Sequence, residues 1–346
     1  MRLPSLRSLV VAVAGTLVVL VAGELVVRTW IETPSVAVPV ARFEWAYPAH
    51  VRVVHSSEGY SVRRTNALGL FDDELRVPRP ARRVLLLGDS YAEALQVPPG
   101  AEFAAVAERA LPGTEIVNAG VSGHSPLDHA EWAETVGDSL APDVIVVEVS
   151  DANLELMLTP AAQRRLDSPP VPGRLEPLPP ETGMRAVMRE VLRRSALATL
   201  SWRRFKLLAG DQKASLSRRF NATGVRGPAK VKAVEDPRTP ALLDGLQERL
   251  ARRARHVVWL YIPHLEYFRP GQPPTDPRLA ALLADLCARH GATFVDAGPA
   301  MRAAYQRTGQ PVHGFANSVV GSGHINAAGH RAVGEALAAA LKQVAP

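Results

Sequence analysis

Gly-Asp-Ser is written twice in this chain, at positions 88–90 in "VLLLGDSYAEAL" and at 137–139 in "VGDSLAPDVIVV". A serine hydroxyl is a weak nucleophile until an adjacent base takes its proton and fixed N–H donors receive the oxyanion formed by its attack. The chemistry open to either copy is therefore acyl transfer through a covalent intermediate. Their surroundings separate them. Ser90 follows the apolar run "RVLLL" and leads into a helical pattern. That places it at a strand's carboxyl end and beside a helix N-terminus, where ligands of parallel sheets bind and free N–H groups can hold an anion. Ser139 follows the helical stretch "PLDHAEWAETV" and precedes "DVIVV", which puts it on a turn at the opposite edge of the sheet. Ser90 is the candidate nucleophile.

Five short β-branched or apolar runs, at 83–87, 115–117, 144–149, 256–262 and 293–295, supply the strands that would position it. Helical patterns fall between them at 102–111, 126–136, 240–254 and 277–290, and one at 326–344 closes the chain. Alternation of this kind predicts an α/β fold: a three-layer, doubly wound, parallel five-stranded sheet of the flavodoxin-like type. The rhythm breaks at 159–181, where "SPPVPGRLEPLPPE" excludes long regular elements. The predicted organisation is an apolar segment over 1–29, an N-terminal extension over 30–80, the catalytic domain over 81–157 and 234–346, and a proline-rich linker with a basic helical insertion over 158–233.

With 346 residues, 47% of them hydrophobic, the chain can bury a large core. A single cysteine, Cys287, excludes an intrachain disulfide framework. The net charge of +6 is local, because residues 185–232 hold thirteen Lys or Arg against two acidic residues. Their helical pattern, with Trp202 and Phe205 among arginines, suits an anionic lipid or polymer surface. No recognition motif accompanies the charge, so nucleic acid is not an expected partner. The uncharged run 9–23, preceded by Arg2 and Arg7, has the composition of a signal-anchor or a signal peptide. The positive-inside rule then sends everything after Arg28 across the membrane, giving an anchored or a secreted extracytoplasmic domain.

Over roughly 65–157 and 237–344 the chain resembles the SGNH (GDSL-type) hydrolases, on Gly88-Asp89-Ser90, on "VNAGVSGHS" and on "GHINAAGHRAVGEAL". The resemblance implies that Ser90 is the nucleophile and His324 the catalytic histidine. It also implies an oxyanion hole from the N–H groups of Ser90 and Gly123, with Asn118 and Gly120 shaping the turn. Two departures stand out. The expected Gly-x-Asn-Asp is replaced by "VVEVSDANLEL", leaving Asn153 as the carboxamide that can supply the third oxyanion donor. The acid expected two or three residues before the histidine is missing, since Gly321 and Ser322 stand there. Asp151 and Asp296 are the substitute acids, with Ser322 as a supporting residue; Asp296 also suits a helix cap.

The function implied is a serine esterase acting on an acylated glycan or lipid outside the cytoplasm. Its alternatives are an O-acyltransferase of exported polysaccharide and an inactive binding protein that keeps the fold. His124, His264, His313 and His330 are expected to pack or to line the pocket rather than to catalyse. No side-chain cluster has metal-ligand spacing, and no cofactor is expected.

Overall fold

A run such as "RRVLLLG" has no polar face, so it makes a stable strand only inside a sheet covered on both sides. The computed structural model describes residues 5–34, 36–37, 46–150, 153–159, 162, 183–205, 233–265, 267 and 277–344. Helix α1 (Leu6–Val26) widens into a π turn over Val27–Ile31, and the short strands β1 (Arg52–His55) and β2 (Ser61–Arg64) follow. Then come β3 (Arg82–Gly88), α2 (Ser90–Glu93), α3 (Phe103–Arg109), β4 (Thr114–Gly120), α4 (Pro126–Leu140), β5 (Val144–Ser150) and α5 (Asn153–Leu156). After α6 (Met184–Arg194) and α7 (196–205), the chain continues with α8 (Thr239–Ala251), β6 (His256–Ile262), α9 (Pro277–His290), β7 (Thr293–Asp296), α10 (Gly298–Thr308) and α11 (Ala327–Gln343).

Two compact units divide the chain. The smaller comprises Met1–Val36, Val53–Ser57 and Pro180–Gly227, and the larger Ala37–Arg52, Glu58–Pro179 and Pro228–Pro346. In the larger, five parallel strands are ordered β4-β3-β5-β6-β7. The order reverses direction at β3, which makes the carboxyl ends of β3 and β5 the switch point where such sheets bind ligands.

Successive strand residues alternate between two cores. Leu85, Leu87, Ile145, Val147 and Trp259 pack with Leu127, Leu246 and Leu283 of α4, α8 and α9. Val84, Leu86, Val144, Val146 and Leu260 pack with Phe103, Met301 and Leu337 of α3, α10 and α11. Each fully buried side chain of this size stabilises by about 1.5–3 kcal/mol. The indole N–H of buried Trp259 donates to Gln247 Oε1 at 2.7 Å, so the core carries that polar group satisfied.

All five predicted strands are present, most of them longer by a residue or more. Helix α10 and the short strands β1 and β2 are additions. Helix α4 also runs beyond its expected end at 136, because it stops on the left-handed Ala141 (φ 45°) and not at Gly137. Ser139 is thus in a last helical turn, exposed, its hydroxyl donating to Val136 O at 2.8 Å.

In the larger unit, the Asp72 carboxylate accepts the Asn118 N–H at 2.7 Å, and burial pushes its pKa up to about 7. In an unfolded chain the same group ionises near ~3.9. Between those values the folded chain holds a proton that the unfolded chain has released, so this contribution is whole below about pH 4 and is lost as pH rises through about 7. Asp72→Asn is expected to flatten that part of the profile. Urea midpoints at pH 5 and pH 8 check it; an equal fall in variant and wild type would refute the linkage.

Candidate active site

Ser90 opens α2 directly after β3, and its turn is held from beneath. Asp89 Oδ1 accepts the Tyr91 N–H at 2.8 Å, while the Asp89 N–H donates to Glu148 Oε2 at 2.9 Å. Ser150 Oγ, at the end of β5, donates to Asp89 Oδ2 at 3.1 Å. Burial and the neighbouring Asp89 carboxylate hold the Glu148 pKa well above the usual range. Both causes favour the protonated form of Glu148, which lessens like-charge repulsion where two acids share one buried site. The turn is tied to β5 as well as to β3.

The second turn emerges beside the first. Gly88 and Gly120 are partners across β3 and β4, and Val121 N–H donates to Gly88 O at 3.0 Å. Gly120 has no room for a side chain, since an added Cβ would meet the Glu93 nitrogen at 2.3 Å. Asn118 fixes the approach, donating from Nδ2 to Ala92 O at 2.8 Å and accepting the Gly120 N–H at 3.1 Å. Gly123 sits at φ 84°, a conformation that side chains disfavour. Buried Glu93 braces this turn, accepting from Ser122 Oγ and, at 2.6 Å, from the Tyr47 hydroxyl; burial raises its pKa.

Asn153 begins α5, three residues past the end of β5, and is 1% exposed. Its Oδ1 accepts the Ser150 N–H at 3.1 Å, whereas its Nδ2 is buried without a hydrogen-bond partner among the described residues. A buried donor left in this state costs about 1–3 kcal/mol. It is a donor waiting for an acceptor.

His324 comes from the loop ahead of α11, two residues before the cap Asn326, whose side chain accepts from Ala328 and Gly329 N–H. Its Nε2 lies 2.9 Å from Ser90 Oγ. Its Nδ1 lies 2.6 Å from Glu58 Oε2, and the His324 backbone N–H donates to Glu58 Oε1 at 2.9 Å. A carboxylate only accepts, so Nδ1 carries the proton and Nε2 is free to accept from the serine hydroxyl. The Tyr91 ring stands edge-on to the imidazole at 5.7 Å.

Glu58 lies in "SSEGY", just before β2, and is the acid that sequence reasoning missed. Next to it, Gly59 is clamped by Asn317, which accepts the Gly59 N–H and donates to Gly59 O, each at 2.8 Å. Opposite, Gly323 (φ 85°) leaves the space that the carboxylate fills, for an added Cβ would meet Glu58 Oε1 at 2.3 Å. Gly323→Ala is expected to cost about 1 kcal/mol of stability through that dihedral angle. It should cut ester turnover by at least about tenfold, equivalent to about 1.4 kcal/mol in the barrier. Turnover equal to wild type at a matched fraction folded would show that the carboxylate tolerates the intrusion.

Of the two expected substitute acids, the one that is described, Asp296, is used elsewhere. Asp296 Oδ1 accepts the Gly298 N–H at 2.8 Å at the start of α10, the helix-capping use noted for it. Ser322 is exposed on a turn in which its N–H donates to Val319 O, and the imidazole nitrogens face Ser90 and Glu58 instead. Asp151 lies outside the described residues. Of the other histidines, buried His330 accepts the Phe103 N–H at 3.2 Å. Buried His313 is held 2.6 Å from the Tyr267 hydroxyl, and its ring meets His264 at 4.8 Å. Burial lowers the pKa of both His313 and His330 to about 3, which keeps them neutral.

The profile of the GDSL-like lipase/acylhydrolase family matches residues 86–332. Among curated proteins, none matches this chain in sequence. Among solved structures, the chain is similar to a member of the lipolytic protein G-D-S-L family from Veillonella parvula, at 12% identity and a TM-score of 0.44, over 76% of this chain and 100% of that one. It is also similar to an extracellular lipase from Streptomyces rimosus, at 15% identity and a TM-score of 0.41, over 75% and 100%. A third is an acetylxylan esterase from Geobacillus stearothermophilus, at 14% identity and a TM-score of 0.39, over 75% and 93%. The family match covers well over half of the sequence and takes in the Ser90 turn, the Gly123 turn and His324, so the chain belongs to the GDSL-like lipase/acylhydrolase family, whose members are serine hydrolases of ester bonds.

Proposed function

We propose that the protein is a membrane-anchored serine esterase that cleaves an acyl ester of a glycan or lipid on the extracytoplasmic side, with Ser90, His324 and Glu58 as its catalytic triad. The observation that carries this reading is the unbroken chain of contacts from Glu58 Oε2 through both imidazole nitrogens to Ser90 Oγ, 2.6 and 2.9 Å long. His324 takes the serine proton as Oγ attacks the ester carbonyl, and Glu58 stabilises the resulting imidazolium. The N–H groups of Ser90 and Gly123 and the Asn153 amide receive the oxyanion. His324 returns the proton to the departing alcohol, and water, activated by the same imidazole, releases the acyl group. A complete triad argues against an inactive member of the fold. The placement rests on α1: Leu6–Ile31 is long and apolar enough to cross a membrane, with a mean hydropathy of 2.5.

A fluorophosphonate probe tests the assignment. It is expected to label the wild type and Ser139→Ala, and to leave Ser90→Ala unlabelled. Labelling lost only in the Ser139 variant would overturn it. Incubating unlabelled enzyme with an O-acetylated glycan should release acetate; recovery of the acetyl group on an added glycan acceptor would show transfer in place of hydrolysis.

A further inference from the structure

Within the smaller unit, α6 displays Met184, Val187, Met188 and Val191 on its surface, at 78%, 58%, 46% and 47% exposure. Their spacing of three, four and seven residues makes one apolar stripe. Arg193 lies off that stripe and Arg194 at its edge, and both pair with Glu190. Among the described residues, none covers this stripe.

The neighbouring helix α1 says what covers it. At about 1.5 Å per residue, the 21 residues of α1 span roughly 31 Å, the thickness of a bilayer's hydrocarbon core. Glu24 then falls at the far boundary, and Leu17 to Val21 fall among the acyl chains of that leaflet. Three hydrogen bonds set α6 and α7 against this scale. The Glu24 carboxylate caps the start of α7, accepting from Ser195 Oγ, Ala196 N–H and Leu197 N–H at 2.9, 2.8 and 3.1 Å. Arg28 ties the same junction, donating to both Glu24 and the Arg194 carbonyl. From there α6 runs back beside α1, and the two enclose an apolar groove of about 970 Å³ whose walls include Leu17, Leu20 and Val21 on one side and Val187 and Val191 on the other.

We propose that α6 is a second membrane element, an amphipathic helix seated in the leaflet that Glu24 borders, its Met184–Val191 stripe among acyl chains and its arginines at the level of anionic lipid phosphates. The proposal rests on the reading of α1 as a membrane-spanning anchor. Arginine stems are long enough to keep their head groups at that level while the helix backbone lies deeper. Juxtamembrane arginines favour a leaflet containing anionic lipid. The ligand surface is thus a phospholipid bilayer, and an acyl chain fits the groove between α1 and α6.

The test uses the full chain in Cys287→Ser background, reconstituted in phosphatidylcholine vesicles containing phosphatidylglycerol. Cys287 is the sole cysteine and is buried, so its removal leaves a single introduced site for an environment-sensitive fluorophore. Labels go at Val13→Cys in α1, Met188→Cys in α6 and, as an aqueous control, Leu68→Cys. Bromine-substituted acyl chains are expected to quench the labels at 13 and 188, and aqueous iodide only the label at 68. Omitting phosphatidylglycerol should lower the lipid quenching at 188 by about half and leave 13 unchanged. Iodide access at 188 with 13 still shielded would overturn the proposal and spare the anchor. Iodide access at 13 would overturn the anchor and the proposal together. Quenching at 188 indifferent to phosphatidylglycerol would overturn the anionic-lipid recognition.

Discussion

Glu58→Gln is expected to lower kcat for an ester by about four orders of magnitude, with KM nearly unchanged. The glutamine keeps the shape and can still accept the His324 backbone N–H from its amide oxygen. Its NH2 group, however, would face Nδ1, which at present lies 2.6 Å from Glu58 Oε2. Facing a donor, Nδ1 becomes the acceptor and the ring proton moves to Nε2, so the imidazole can no longer accept the Ser90 proton. The side chain is partly buried, at 18% exposure, and the replacement is isosteric, so the melting temperature should move little. Glu58→Asp, one methylene shorter, keeps the charge and should recover part of the loss. Turnover of Glu58→Gln within tenfold of wild type, at equal folded fraction, would remove Glu58 from the triad.

Asn153→Ala is expected to lower kcat by about 10²–10³. The unpaired buried Nδ2 is the reason: it is a desolvated donor with no acceptor among the described residues, and in the proposed mechanism the oxyanion supplies one only as the transition state forms. An interaction made only there appears in kcat and not in KM. Stability should change by no more than about 1 kcal/mol, because the alanine strands the Ser150 N–H but also removes an orphaned donor. A variant that loses stability while keeping kcat would assign Asn153 a structural role alone.

The sheet was legible because its strands are buried on both faces, and such strands leave continuous apolar runs; β3, β4 and β5 are buried at every position. Ser90 was legible for a related reason, since strand-then-helix order fixes which edge of a parallel sheet a residue occupies. Ser139 carries the same triplet in the reverse order and lies in the last turn of α4. Glu58 was not legible. It stands 266 residues before His324, in a segment with no period of its own, and nothing local marks a carboxylate whose partner is supplied by tertiary folding. The one hint was negative: Gly321, Ser322 and Gly323 ahead of the histidine, where Gly323 is now seen to be the gap that Glu58 enters. Helix α10 escaped for a different reason, its apolar face being only Met301 and Ala304 between charged and small residues.

Because its carboxylate arrives from outside the sheet, this enzyme separates being folded from being switched on. The five strands and their helices can stand intact while the short segment around Glu58 lifts away, and a hydrolase in that state would have its serine and its imidazole but no carboxylate to orient the ring and stabilise the imidazolium. Segments outside a protein's central sheet can open at a fraction of the free energy of global unfolding. Heat or mild urea should therefore silence the esterase before the core gives way, and whatever holds that segment down sets the working range of the enzyme.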